Sequence, residues 1–210
     1  MVSSSQSSKA AAAFMLQSIQ DRYSYNYTWL TRPIIQYPQD IVAFQEIVAS
    51  AQPDLIVETG IAHGGSLALS ASMLCVLDIS EGVDPRESSR KVVGVDVDIR
   101  PHNLRALNDH PLRFKMELIQ GSSIDPKVIE EVYTHTNDKD RVLVSLDSNH
   151  THEHVLAELN AYADLVSVNS YCIVYDTIIE DLPADSFPDR PWDVGNNPKT
   201  AVHELLKDHP

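Results

Sequence analysis

Five short apolar runs constrain the fold of this chain more than any other feature: Asp54–Glu58 (DLIVE), Val92–Asp96 (VVGVD), Met116–Gln120 (MELIQ), Val142–Leu146 (VLVSL) and Tyr171–Tyr175 (YCIVY). None of them alternates apolar with polar residues, as a strand with one wet face does, so each is expected to be a strand buried on both faces. Helical patterns lie between and after them, at about residues 65–78, 101–109, 125–133, 152–163 and 199–208. Strand and helix in alternation wind into a sheet through right-handed crossovers, with helices on both faces. The expected fold is α/β, with a doubly wound, mostly parallel sheet. A length of 210 residues suits one such domain.

That domain is assigned to residues 39–210, and residues 1–38 are read as an N-terminal extension and possible lid. Residues 1–9 are Ser-rich and expected to be mobile. The spacing of Phe14, Ile19 and the alanines permits an amphipathic helix from Lys9 to about Tyr23. The segment Tyr23–Pro38 (YSYNYTWLTRPIIQYP) is aromatic, irregular and interrupted by two prolines. It is expected either to close over a bound molecule or to pack on the core as a strap. Asp40 is placed as the N-cap of a helix reaching about Ser50. The Pro- and Asp-rich stretch 181–198 is read as a surface excursion.

Charge removes two classes of partner. With 16 Lys and Arg against 30 Asp and Glu, the net charge is −14, and no basic cluster offers a footprint for nucleic acid or anionic membrane. No apolar stretch approaches the roughly 20 residues of a membrane span. The opening lacks the basic start and long apolar centre of a signal peptide. Two cysteines, Cys75 and Cys172, are too few for a disulfide scaffold. A cytoplasmic protein acting on small molecules is expected.

In open α/β sheets, ligands bind beyond the carboxyl ends of the strands. After the first run comes Glu58-Thr59-Gly60-Ile61-Ala62-His63-Gly64-Gly65-Ser66, where glycines permit a tight turn and close backbone approach. It is neither GxGxxG nor a P-loop, and its acidic start suits an ammonium group better than a pyrophosphate. His63 is read as a loop contact. Asp96, ending the second run, can accept both hydroxyls of a ribose. Ser122 and Ser123, after the third, can hold an adenine edge and also cap a helix. Together these positions describe an S-adenosylmethionine site, lined by Glu58, Thr59, Gly60, His63, Gly64, Gly65, Ser66, Asp96, Ser122 and Ser123 and bordered by Asp147.

Asp147 and Asp176 end the fourth and fifth runs. Carboxylates on neighbouring strand ends can share one hard cation such as Mg²⁺. His150, three residues after Asp147, is the candidate general base, since histidine titrates near neutrality. His150 and His154 are expected to share a helix face.

The motifs ETGIAHGGS, GVDVDIRPHN, GSSID, LDSNHTHEHV and GNNPKTAV together resemble the cephalosporin hydroxylase family over roughly residues 29–210. The resemblance implies a Rossmann-like class I methyltransferase fold, related to catechol-type and sugar O-methyltransferases. It implies a metal site formed by Asp147, Asp176 and Thr177, where Thr177 occupies a position usually held by Asn or Asp. Glu180 and Asp181 are possible substitutes, and His150 stands where related enzymes place a lysine. It also implies a C-terminal antiparallel strand pair that is missing from this chain, leaving a sheet edge that oligomerisation can cover. Iron oxygenases commonly lead with His-x-Asp/Glu, and none of the nine histidines has an acid two residues on. The expected function is therefore S-adenosylmethionine-dependent, Mg-assisted O-methylation of a small-molecule or sugar hydroxyl. The alternative is a hydroxylase-like or auxiliary cofactor-binding protein of a natural-product or glycan pathway.

Overall fold

A computed structural model describes residues 6–208; residues 1–5 of the Ser-rich opening lie outside the described residues. Helix α1 (Gln6–Gln20) begins within that opening and is followed by strands β1 (Tyr27–Trp29) and β2 (Arg32–Ile34) and by α2 (Pro38–Ala51). Alternation then sets in: β3 (Leu55–Thr59), α3 (Gly65–Ser80), β4 (Lys91–Asp96), α4 (Pro101–Asn108), β5 (Met116–Gln120) and α5 (Pro126–Thr134). It continues with β6 (Val142–Leu146), α6 (His152–Tyr162), β7 (Cys172–Val174) and α7 (Pro198–Asp208).

The main sheet has the order β5-β4-β3-β6-β7 and every pairing in it is parallel. It is the doubly wound sheet expected of the Rossmann-like methyltransferases, and among the described residues no antiparallel strand joins it. Successive residues of each strand serve opposite faces. Ile56, Val92 and Leu143 pack with Phe44, Val48, Leu67, Leu74 and Leu107 from α2, α3 and α4. Leu55, Val57, Val93 and Val144 pack with Val128, Val132, Val155, Leu159 and Tyr162 from α5 and α6, and with Ala201 from α7. The central strands β3, β4 and β6 are buried on both faces, which is why their runs show no alternation; the edge strands β5 and β7 are only part-buried, which corrects the expectation for their runs.

Two local expectations are corrected. Asp40 is not the N-cap of α2: Tyr37 occupies that position with Pro38 as the first helical residue, and Asp40 lies in the first turn, where its charge faces the positive end of the helix. The aromatic segment is not irregular throughout, because β1 and β2 form an antiparallel hairpin pairing Tyr27 with Ile34 and Trp29 with Arg32. The prolines are compatible with it, since Pro33 lies in a two-stranded ribbon and Pro38 opens α2.

At the amino ends of the strands lies a buried ion cluster that apolar periodicity does not reveal. Asp78 pairs with Lys115 at 2.5 Å and with Arg90 at 2.8 Å, and Arg90 also reaches Glu81 at 2.7 Å. This cluster ties α3 to β4 and β5 at the end of the sheet opposite the candidate site.

Candidate active site

Sheet register brings the candidate residues to one edge. Thr59 pairs with Val95 and Leu146, Asp96 with Gln120, and Leu146 with Val174, so Gly60, Asp96, Gly121, Asp147 and Tyr175 all emerge at the carboxyl ends. The chain builds outward from β3 to β4 and β5, then crosses back to β6. Strand order therefore reverses between β3 and β6, where open α/β sheets form their ligand crevice.

Gly60 and Asp147 flank this reversal. Gly60 has φ +90°, its N–H donates to the Val95 carbonyl at 2.8 Å, and the Asp147 N–H donates to the Thr59 carbonyl at 3.0 Å. Gly64 has φ +82° and caps α3, and a side chain there would collide with Leu107. Asp96 holds its own loop: Oδ2 accepts from the Ala62 N–H and Oδ1 from the Asp98 N–H, each at 2.9 Å. Each carboxylate oxygen keeps a second lone pair for a hydroxyl donor.

Glu58 lies beneath the first turn of α3. Oε1 accepts from the Ser66 hydroxyl at 2.5 Å and Oε2 from the Ser70 hydroxyl at 3.1 Å, so Ser66 is tied to Glu58. Gln36, Ser145 and Tyr175 line the same recess. Burial pushes the Glu58 carboxyl up to about 7, against the two hydroxyls that hold it down. Because this lies above the ordinary 4.5, the folded protein binds the proton more tightly than the unfolded chain. Glu58 therefore withdraws stability as pH rises from about 4.5 through about 7. Glu58→Gln is expected to remove that slope and raise stability at pH 8 by on the order of 2–3 kcal/mol. Urea midpoints at pH 4 and pH 8 check this: equal midpoints for variant and wild type at pH 8 would contradict it.

The serines after β5 are placed differently from the expectation. Neither caps α5: its N-cap is Asp125, whose side chain accepts from the Lys127 N–H at 2.8 Å. The buried Ser123 hydroxyl lies 3.1 Å from His154 Nε2, and its carbonyl accepts from the Tyr162 hydroxyl. His154 also approaches Ser148 Oγ at 3.3 Å, and Ser148 donates to the fully buried Glu158 at 2.6 Å.

His150 and His154 do not share a helix face, because α6 starts at His152 and leaves His150 in the preceding loop. His152 bridges to α7 through Thr200 at 2.8 Å and Glu204 at 3.2 Å. His150 turns instead to Asp176, with Nε2 2.9 Å from Oδ2, and packs edge-to-face on Trp192 with ring centroids 4.7 Å apart. Asp147, His150 and Asp176 each offer a ligand atom within 4.8 Å of the others. Asp176 reaches this point from a left-handed backbone, φ +55°. Burial first, then the negative charges of Asp176, Glu58 and Glu158, raise Asp147 well above the carboxylate range, while Gln36 acts in the opposite sense. Crowded acids of this kind are relieved by a cation, and the two carboxylates at this spacing fit a hard divalent ion with His150 beside it.

Thr177 opens the 3₁₀ turn Thr177–Asp181 directly after Asp176. Glu180 and Asp181 do not join the cluster. Glu180 accepts from the Gly195 N–H and the Asn197 amide, and Asp181 pairs with Lys199 at 2.7 Å, so both hold the 193–197 loop and α7 in place. Gln36, Tyr175 and Trp192 also meet at the site, and only the folded chain brings them there. Trp192 had one signal, an isolated tryptophan in the 181–198 excursion.

Residues 21–210 match the family model described as Rhamnosyl O-methyltransferase/CmcI. A rhamnosyl O-methyltransferase of Mycobacterium tuberculosis (strain H37Rv) is 29% identical over 145 residues, covering 69% of this chain and 54% of the relative. The chain thus spans about half the length of the curated relatives it matches. Among solved structures, the apo form of CalS11, a TDP-rhamnose 3'-O-methyltransferase, aligns with TM-score 0.55 and 15% identity, covering 98% of this chain and 88% of that one. MycE, a methyltransferase of the mycinamycin pathway in complex with Mg and SAH, aligns with TM-score 0.53 and 17% identity, covering 91% of this chain and 44% of that one. At these identities the two structures establish the shared fold.

Proposed function

The chain belongs to the rhamnosyl O-methyltransferase/CmcI family, and from that membership we propose that it is an S-adenosylmethionine-dependent O-methyltransferase acting on a sugar or small-molecule hydroxyl with Mg²⁺ assistance. The observation that carries the reading is the convergence of Asp147, His150 and Asp176 within 4.8 Å beside the Gly60 turn, at the strand-order reversal. The names of the relatives favour a sugar hydroxyl as acceptor. Bound there, S-adenosylmethionine would supply an electrophilic methyl group and the cation would lower the pKa of the acceptor hydroxyl.

The chain's own residues do the rest. The Gly60–Gly65 turn would bring bare backbone to the cofactor, Asp96 would accept its ribose hydroxyls, and Ser122 and Ser123 would border the adenine. Asp147 and Asp176 would hold the cation, with Thr177 or water beside them. His150, whose Nε2 lies 2.9 Å from Asp176 Oδ2, is the group that would take the acceptor proton as the methyl group arrives. Proximity and alignment supply the remainder of the rate. A reduced, cytoplasmic compartment suits the two free cysteines. Among the described residues no helix is long and apolar enough to cross a membrane. Association between copies belongs to the same reading, since the outer edge of β7 pairs with no strand among the described residues.

The test is transfer of labelled methyl from S-adenosylmethionine to a panel of deoxysugar and phenolic acceptors, with and without chelator. Transfer that stops in EDTA and returns with Mg²⁺ is expected, and Asp176→Asn should raise the Mg²⁺ requirement. Thr177 favours one second reading, an auxiliary protein that binds cofactor without transferring from it. Calorimetric binding of S-adenosylhomocysteine with no turnover on any acceptor would select it, and absence of binding would sink both.

A further inference from the structure

Arg32 belongs to the N-terminal hairpin, yet its guanidinium reaches the loop after β3. Nε donates to the His63 carbonyl at 2.9 Å, Nη2 donates to the same carbonyl, and Nη2 also donates to Asn103 Oδ1 at 2.8 Å. Asn103, on α4 and 2% exposed, closes the circuit by donating from Nδ2 to the Ala62 carbonyl at 2.8 Å. Two successive loop carbonyls are thus held by side chains from two different elements. Ala62 is the residue whose N–H meets Asp96, and it holds a left-handed φ of +46° that a residue with a Cβ adopts only under constraint.

The hairpin is itself strained toward this contact. Its turn residues Leu30 and Thr31 have φ of +44° and +73°, in a two-residue connection where Gly or Asn is the usual choice. Such strain persists only where the surroundings over-determine it. Here His110 Nε2 faces the Leu30 carbonyl at 3.2 Å, and Trp29 Nε1 donates to Ser72 on α3 at 3.0 Å. Gly65 has no room for a side chain, since a Cβ there would lie 2.2 Å from the Pro33 carbonyl. Part of the glycine requirement in this loop therefore comes from the hairpin and not from a ligand.

We infer that Arg32 and Asn103 are positioning residues for the cofactor, acting through the Ala62–His63 backbone, and that the hairpin is a working part of the cofactor site. The inference rests on the methyl-donor reading above. Arg32→Lys keeps the charge but loses the two-pronged fork, and Asn103→Asp keeps the acceptor for Arg32 but loses the donor to Ala62. Both are tested in the full chain by amide hydrogen exchange over residues 60–66 without ligand, by calorimetry with S-adenosylhomocysteine, and by thermal midpoint. The expected result is faster exchange in the loop and affinity weakened about tenfold or more, the value of a hydrogen bond from a charged donor. The double variant should be little worse than the weaker single one, because both act on one loop.

Unchanged loop exchange in both variants would overturn the hold of Arg32 and Asn103 on the loop, whether or not the ligand binds. A looser loop with wild-type affinity would overturn the positioning role, as would a fall confined to the thermal midpoint. A looser loop in the variants, together with no binding of S-adenosylhomocysteine by the wild type, would bring down the methyl-donor reading, and the positioning role with it.

Discussion

His150→Ala is expected to lower kcat about 10²–10⁴-fold, the contribution of a positioned general base, and to leave affinity for S-adenosylhomocysteine unchanged. The imidazole is fixed on two sides, by Asp176 at 2.9 Å and by the Trp192 ring. It stands in the loop ahead of α6, so its removal takes nothing from the helix hydrogen-bond ladder. A side chain that only braced the loop would give way in stability and cofactor affinity together, without a selective loss of turnover. Steady-state kinetics beside calorimetry separates the two cases. His150→Gln provides a second comparison, since it retains a donor toward Asp176 but cannot take up a proton at neutral pH. Turnover near wild type in either variant would remove His150 from the mechanism.

The second large effect is expected from Gly60→Ala. A Cβ at Gly60 would lie 2.1 Å from the Asp147 carbonyl oxygen and 2.6 Å from its carbon, both backbone atoms that a rotamer change cannot move aside. The φ of +90° adds a conformational penalty for any residue with a Cβ. Overpacking and the left-handed backbone together should cost about 2–5 kcal/mol of stability. Because the displaced atoms belong to Asp147, the damage should extend to the acidic cluster, and protein that does fold should need more Mg²⁺ for turnover. Urea unfolding and a Mg²⁺ titration measure the two consequences. An unshifted urea midpoint would mean that β3 and β6 do not meet there as described.

The central strands were legible because a strand buried on both faces leaves a continuous apolar run, as in Val142–Leu146, where sequence and structure agree to the residue. The hairpin Tyr27–Ile34 was not legible. Its strands are three residues each, and its turn, Leu30-Thr31, carries none of the Gly or Asn that announces a left-handed connection. Its conformation is imposed by Arg32, His110 and the absent side chain of Gly65, all of which are contacts across the fold. The cap of α2 differs for a related reason: Asp is a strong capping residue, but Pro38 already supplies a preorganised first turn and moves the start of the helix three residues earlier, from Asp40 to Tyr37.

The sequence by itself determined the parallel α/β architecture, the strand-end positions of Gly60, Asp96, Asp147 and Asp176, and the likeness to methyltransferases. These follow from local periodicity and from the rule that ligands meet the carboxyl ends of strands. Only the tertiary structure decided which side chains meet: Glu58 with Ser66 and Ser70 rather than standing free, His150 with Asp176 rather than with His154, and Arg32 with Asn103 across 71 positions of chain. The reason is physical. Secondary structure responds to spacing along the chain, whereas the pairing of buried polar groups is chosen by the cost of leaving any of them without a partner, and that choice exists only once the sheet has brought distant residues together.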